Sequence, residues 1–353
     1  MRRSEALLEA LRMVAPGTPL RDAIDRILQA NKGALIVVGD GPEVLSVCSG
    51  GFLLDAEFTP QRLSELAKMD GAIILAADGS RIARANVHLV PDPTVPTTET
   101  GTRHRTAERV ARSLKVPVVS ASEEMGVINV YAGGSKHQVQ DVSRLLDRAN
   151  QALQTLERYK TRLDDAIANL TGVELEDVVT LRDVAAVVQR GEMVHRISDE
   201  IETMIIELGI DARLLRLQLD ELYGDIDDEL ELVVADYLPA GRTVVETQFE
   251  MSRLTDDDVL DMRVAAATLH RDGDNRDLEQ EVAPKGLRLL HRVHRLPAEQ
   301  AAAIADHFGG LAKLQRATVD DLMEVEHVNR ELAVSIKDTL ERVTESTILD
   351  QYS

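Results

Sequence analysis

The chain of 353 residues holds a single cysteine, Cys48, and no tryptophan, and aromatic residues make up 3% of it. One thiol excludes an internal disulfide and any multi-cysteine metal site. Cys48 ends the apolar run Val44 to Cys48, which reads as a strand, so it is expected in a core and not as a reactive thiol. With so few aromatics, burial must rest on Leu, Val, Ile and Ala, which suits helix packing and parallel or mixed sheets better than a β-sandwich. No run of about 18 apolar residues occurs, so no segment is expected to span a bilayer. Met1-Arg2-Arg3-Ser4-Glu5 leads into an amphipathic helix and lacks the apolar stretch of a signal peptide, so a cytoplasmic protein without membrane partners is expected. Positive charge is also short. The formal net charge of -21 argues against a whole-molecule grip on nucleic acid, so any such contact must be local.

The length favours two or three domains, and a hydrophobic fraction of 44% with 29% charged residues is that of a folded, helix-rich chain. Leu7, Leu8, Leu11 and Val14, then Leu20, Ile24, Ile27 and Leu28, predict two amphipathic helices. The period then changes. Apolar runs at 33–39, 44–48, 71–76, 116–120 and 127–131 predict strands covered on both faces, hence an α/β domain over 1–140 with a mixed central sheet flanked by helices. Glycine then becomes scarce, and Leu145, Leu146, Leu153, Leu156 and Leu163 mark one stripe of a long helix in an all-α middle domain, 141–285. The acidic stretch Asp220 to Asp236 reads as a solvated helix face and turn. Beyond Pro284-Lys285-Gly286, short helices joined by tight turns predict a small helix-hairpin-helix domain over 286–353.

Three segments can carry chemistry. In Met69-Asp70-Gly71-Ala72-Ile73-Ile74-Leu75 an acid stands at the mouth of a buried strand, able to hold a divalent cation or a hydroxyl, and Gly71 lets a ring or phosphate approach the backbone. Alone, Asp before Gly is more often a turn. In the segment 100–109, Thr102 is placed to cap a helix whose apolar face is Ala107, Val110, Ala111 and Leu114. Arg103 and Arg105 can then offer forked donors beside the positive end of the helix dipole, and His104 between them can bind phosphate or metal. Clustering three such side chains at that helix end costs energy unless an anion is present, which favours a phosphate site over a solvated basic turn. Ser120-Ala121-Ser122-Glu123-Glu124 could bring hydroxyls and acids to the same rim, although an ordinary strand exit reads equally well.

Asp70-Gly71-Ala72 together with Gly101-Thr102-Arg103-His104-Arg105-Thr106 resembles the two signature motifs of diadenylate cyclase domains, and the pair is far more specific than either motif alone. The helical middle and the helix-hairpin-helix end resemble the DNA integrity scanning family within that superfamily, so the likeness covers essentially the whole chain. The resemblance implies an enzyme that condenses two ATP molecules into cyclic di-AMP where two identical catalytic domains face each other. It implies that Asp70 helps bind Mg²⁺ or Mn²⁺ and polarises the attacking hydroxyl, and that Gly71, Ala72 and Leu89 line the adenine side. Thr102, Arg103, His104, Arg105 and Thr106 would hold the triphosphate, with Ser122 a further phosphate contact. A homo-octamer of four facing dimers is implied as well.

The family uses its C-terminal hairpins on branched DNA such as four-way junctions. This chain departs from the usual glycines, reading Val325-Glu326-His327-Val328-Asn329, where Asn tolerates a left-handed backbone better than His does and Glu326 repels phosphate. Lys285, Arg288, Arg292 and Arg295, with Asn329, are the candidate DNA contacts. Two other readings compete with the enzyme. One is a DNA-binding or repair scaffold whose nucleotide domain senses ATP without turnover; the other is a repair accessory protein defined by its C-terminal end alone. Product formation separates the first of these from a cyclase, and tight branched-DNA binding is what the second requires.

Overall fold

The computed structural model describes residues 4–239, 241–269 and 277–351. The chain divides into two compact units, one of residues 1–152 with 199–218 and one of residues 153–198 with 219–353.

The first unit opens on helices α1 (Glu5–Met13) and α2 (Pro19–Gln29), started by Ser4 and Thr18, whose side chains accept from the backbone N–H groups of Leu7 and Arg21. The chain continues through β1 (Ala34–Val38), α3 (Pro42–Ser46), β2 (Cys48–Ser49), β3 (Phe52–Glu57), α4 (Pro60–Leu66), β4 (Ala72–Leu75) and β5 (Arg81–Leu89). It closes with α5 (Thr102–Leu114), β6 (Val118–Ala121), β7 (Ile128–Ala132) and β8 (Ser135–Gln138). The sheet order is β2-β5-β4-β1-β6-β7-β8, with β3 also on β5. Only β1 and β4 pair in parallel; the rest of the ladder is antiparallel, so the sheet is mixed.

Every residue of β1, β4, β6 and β7 is buried, because each strand is covered on both faces. One face, with Ile36, Ile73, Leu75, Val119 and Val130, packs against α1, α2 and α4; the other, with Leu35, Ile74, Val87 and Tyr131, packs against Ala107, Val110 and Ala111 of α5. The strand expected at 44–48 is instead mostly α3. Gly41 and Pro42 supply its start, and Pro at the first helical turn has a fixed φ that suits a helix and a nitrogen with no proton to leave unsatisfied. Cys48 is half-buried against the α5-side core, and burial pushes its thiol up.

In the second unit the helical stripe holds: Leu153, Leu156 and Leu163 of α6 (Val142–Glu176) are buried. The chain goes on through α7 (Leu181–Leu208), a 3₁₀ turn at Gly209–Ala212 and α8 (Arg213–Tyr223), of which residues 199–218 belong to the first unit, and then α9 (Ile226–Tyr237), α10 (Val244–Ser252), α11 (Asp256–Leu260) and α12 (Met262–Leu269). The end of the chain forms α13 (Leu287–His291), α14 (Ala298–Phe308), α15 (Leu311–Arg316), α16 (Val319–Leu322) and α17 (Arg330–Gln351) around a core of Leu289, Leu290, Ile304, Leu314, Leu322 and Ile336. Among the described residues no helix is long and apolar enough to cross a membrane.

The acidic stretch is not wholly solvated, because Asp236 is buried. Its two carboxylate oxygens accept from the backbone N–H groups of Leu287 (2.6 Å) and Arg288 (3.0 Å), satisfying the open donors at the start of α13.

Candidate nucleotide-binding site

The strand register brings both motifs to one end of the sheet. Ala72 opens β4 and pairs with Leu35 near the start of the parallel strand β1, while Ala34 beside it pairs with Ala121 at the end of β6. Val87 pairs with Ala72, so Leu89, the last residue of β5, ends at the same edge. Asp70 and Gly71 precede β4 there and are exposed, whereas Ala72 and Leu89 are buried. Gly71 sits at φ 122, and a Cβ on it would come within 2.9 Å of the Asn86 backbone, so only glycine lets the chain turn into β4 this closely against β5.

The start of α5 meets that edge from the other side. Thr102 does not cap the helix: Gly101, at φ 79, is the N-cap, Thr102 is the first helical residue, and no side chain bonds to the helix start. Glycine reaches this backbone conformation without strain, and the first-turn N–H groups keep their capacity for an anion. Thr102 and Arg105 are exposed, and Arg103, His104 and Thr106 are half-buried. The Arg103 guanidinium lies over Gly33, where a Cβ would fall 2.0 Å from its Nη1; the missing side chain at 33 makes the cradle. Ser122, buried just past β6, uses its backbone to bond Val127 (2.9 Å) and Gly126 (3.0 Å) in the turn that follows.

His104 is held from below. Its Nδ1 lies 2.8 Å from Ser120 Oγ on β6 and 3.2 Å from Tyr131 Oη on β7. Burial lowers the imidazole's proton affinity; Glu99 works against this, and Lys136 and Arg103 add to it. Tyr131 is itself pushed up, by burial first and then by the Glu99 carboxylate, which forms an ion pair of 2.7 Å with Lys136. Opposite Ser120 in the β6–β7 ladder, Asn129 is 2% exposed and its Oδ1 has no partner among the described residues. Sequence reading missed Glu99, Tyr131, Asn129 and Gly33. Only Gly33, as a glycine opening an apolar run, carried any signal.

Among the described residues no three His, Cys, Asp or Glu side chains form a metal cage. Asp70, exposed at the rim, fits a different arrangement, in which one carboxylate shares a hydrated Mg²⁺ or Mn²⁺ with substrate phosphates.

The C-terminal candidates fare unevenly. Arg288 is not available to DNA: it is 2% exposed and forms a buried ion pair with Glu174, and its Nη2 also donates to Thr171 Oγ1 at 3.0 Å. Lys285 donates to the Ala235 carbonyl at 3.0 Å, and Asn329 accepts from Leu332 N–H at 2.9 Å, which makes it the cap of α17. Arg292 and Arg295 are exposed. Two turns of the same geometry, Val293 to Leu296 and Val325 to Val328, each close with a backbone bond across a left-handed residue, Arg295 (φ 62) and His327 (φ 65). Of the two residues standing where the usual glycines would be, His327 and not Asn329 takes the left-handed backbone, although Asn tolerates it better.

A parallel-antiparallel sheet with an uncapped helix start and a glycine-lined rim is the framework of a nucleotide-binding domain. The family profile for the DisA bacterial checkpoint controller nucleotide-binding domain matches residues 21–136, and the profile for its linker region matches residues 139–277. The chain is 49% identical to the DNA integrity scanning protein DisA of Streptomyces coelicolor, over 99% of this chain and 95% of that one, and 50% identical to that of Frankia alni, over 97% and 96%. A crystal structure of DacA from Staphylococcus aureus matches 38% of this chain and 88% of its own at 24% identity and a TM-score of 0.30. The chain belongs to the DisA family.

Proposed function

We propose that the chain is a diadenylate cyclase that converts two ATP molecules to cyclic di-AMP and two pyrophosphates where the nucleotide-binding units of two copies face each other. The observation that supports this most is the convergence of Asp70, Gly71 and the Thr102–Thr106 turn on one sheet end in a DisA-family chain. Each unit binds one ATP. The open N–H groups of α5, Thr102, Thr106 and the guanidinium groups of Arg103 and Arg105 hold the triphosphate and stabilise charge as pyrophosphate leaves, with Ser122 at the rim. Gly71, Ala72 and Leu89 flank the base. Asp70 positions the ribose 3′-hydroxyl of the ATP held by the facing copy. A bound Mg²⁺ or Mn²⁺ at Asp70 would neutralise phosphate charge and acidify that hydroxyl. An octamer of four such dimers is the assembly expected. Turnover tests this reading: a cyclase yields product, whereas an ATP sensor returns its nucleotide unchanged.

Gly33→Ala is expected to displace the Arg103 guanidinium and weaken ATP binding about 10- to 100-fold, the worth of one charge-assisted hydrogen bond. Calorimetry with a non-hydrolysable ATP analogue checks this, and unchanged affinity would remove Arg103 from the site.

The paired turns around Arg295 and His327 support a helix-hairpin-helix reading of residues 286–353, with exposed Arg292 and Arg295 as its DNA contacts. Four-way junction DNA bound there is expected to slow product formation several-fold, because a displacement of about 1 Å between facing sites is enough to impair an in-line reaction. Arg292→Glu with Arg295→Glu is expected to remove this response and make junction binding less salt-dependent by about two phosphate contacts. A rate indifferent to junction DNA counts against the regulation.

A further inference from the structure

Resting on the cyclase reading, the segment that joins the base side of the site to its phosphate side shows how the open start of α5 is held. Residues 90–101 run from the end of β5, where Leu89 flanks the base, to Gly101 at the head of α5, and belong to no helix or strand. Pro91, Pro93 and Pro96 stiffen this strap, but proline also removes backbone donors, and no ladder fixes it. Side chains of α5 fasten it instead. Arg109 Nε donates to the Val95 carbonyl at 3.0 Å, and Arg112 Nη1 donates to the Pro96 carbonyl at 2.8 Å. At the next two residues, Glu108 Oε2 accepts from the Thr97 hydroxyl and from the Thr98 N–H at 3.0 Å, while its Oε1 pairs with Arg112 Nη2 at 2.8 Å. The Thr97 oxygen accepts in turn from the Glu99 N–H at 3.1 Å, and the Glu99 carboxylate pairs with Lys136 of β8 at 2.7 Å. A carboxylate is costly to bury unless its oxygens are bonded; Glu108 is 5% exposed, and both of its oxygens are engaged by the strap or by Arg112.

We infer that Glu108 is a positioning residue for the nucleotide site: by fastening Thr97 and Thr98 it fixes the strap, so that Gly101 and the first-turn N–H groups of α5 are in place before the triphosphate arrives. The strap leads directly into Gly101, whose left-handed φ of 79 starts the helix without a side-chain cap. If Thr97 and Thr98 are released, the helix start must be ordered when the nucleotide binds, and affinity falls by the cost of that ordering. Glu108 itself stands in the second turn of α5, bonded to Thr97, Thr98 and Arg112, and acts on the nucleotide through the strap. Its loss therefore shows in binding and not in the chemical step.

Three variants of the full chain test this. Glu108→Ala removes the fastening, Thr97→Val removes one of its bonds at a half-buried position outside both cores, and Glu108→Gln keeps an acceptor for both strap donors while losing the charge. Calorimetry with a non-hydrolysable ATP analogue is expected to give an affinity about 10- to 100-fold weaker in Glu108→Ala, about 3- to 10-fold weaker in Thr97→Val and within about threefold of the parent chain in Glu108→Gln. In all three, kcat at saturating ATP is expected to stay within about threefold, the loss appearing in KM. Hydrogen exchange across residues 97–105, followed without nucleotide, should quicken about 10-fold or more in Glu108→Ala and remain slow in Glu108→Gln. Unchanged affinity in Glu108→Ala and Thr97→Val, a loss in Glu108→Gln as large as in Glu108→Ala, or a loss confined to kcat would each overturn the assignment. Should Glu108→Ala fail to fold, Thr97→Val decides alone. Because affinity and exchange are read without turnover, a chain that binds the analogue and makes no cyclic di-AMP would sink the cyclase reading, while the role of Glu108 stood or fell on its own measurements.

Discussion

Asp70→Asn is expected to cut cyclic di-AMP formation by about 10²–10³-fold, the scale of losing one preorganised charge at a transition state. The protein should stay folded, since the exposed Asp70 precedes β4 without belonging to either core, and should keep its grip on ATP if, as proposed, the opposite rim at α5 holds the triphosphate. The substitution keeps the shape and removes only the charge. Rate, melting temperature and ATP affinity measured on the same preparation separate the outcomes. Full activity in the variant would take Asp70 out of the chemistry, and a parallel loss of ATP binding would make it a binding group instead.

Arg288→Met is expected to have the largest effect on stability, about 3–5 kcal/mol, because it strands a charge in the interior. Glu174 and Arg288 are both almost fully enclosed, and among the described residues Glu174 would keep only the Tyr237 hydroxyl, 2.7 Å away, as a side-chain partner. The full ion pair is not ideal either, since Arg288 Nε and Nη1 have no partner among the described residues. Adding Glu174→Met should therefore restore most of the loss, as buried ion pairs can often be replaced by apolar side chains at little cost. Urea titration of the single and double variants measures both steps. Near-wild-type stability in the single variant would mean that the pair contributes little.

The same cluster carries a pH signature. Burial raises the Asp236 carboxyl to about 6, with Glu174 adding to the rise and the N–H groups of Leu287 and Arg288 opposing it. A folded value above the unfolded one, about 3.9, means that the native state holds this proton more tightly. The contribution is thus present at acid pH and is lost as pH climbs through about 6, opposite in sign to the loss expected for a salt-bridged surface acid.

Sequence patterning shows strands where burial is two-sided, as at Ala34–Val38 and Ala72–Leu75. It does not show β5, where Arg81, Arg84, Asn86 and His88 alternate with buried apolar residues and the register shifts, or β3, which is exposed along most of its length. The turn at the start of α5 is legible because the sequence clusters cations at a helix start, a feature that is costly without an anion. What lies beneath it is not. Tyr131 reads as one more strand residue, and only the fold brings its hydroxyl to His104. Arg288 reads as surface charge because its partner, Glu174, stands on a helix more than a hundred residues earlier. Thr102 reads as the cap of α5, but Gly101, which reaches the required backbone conformation without strain, takes that place and Thr102 is the first helical residue.

The most direct measurement is chromatographic separation of the nucleotides after the purified chain has been incubated with ATP and either Mg²⁺ or Mn²⁺. A growing cyclic di-AMP peak with two pyrophosphates per product is expected, absent on chelation of the metal. ATP recovered intact, or ADP and phosphate in place of the cyclic product, would contradict it.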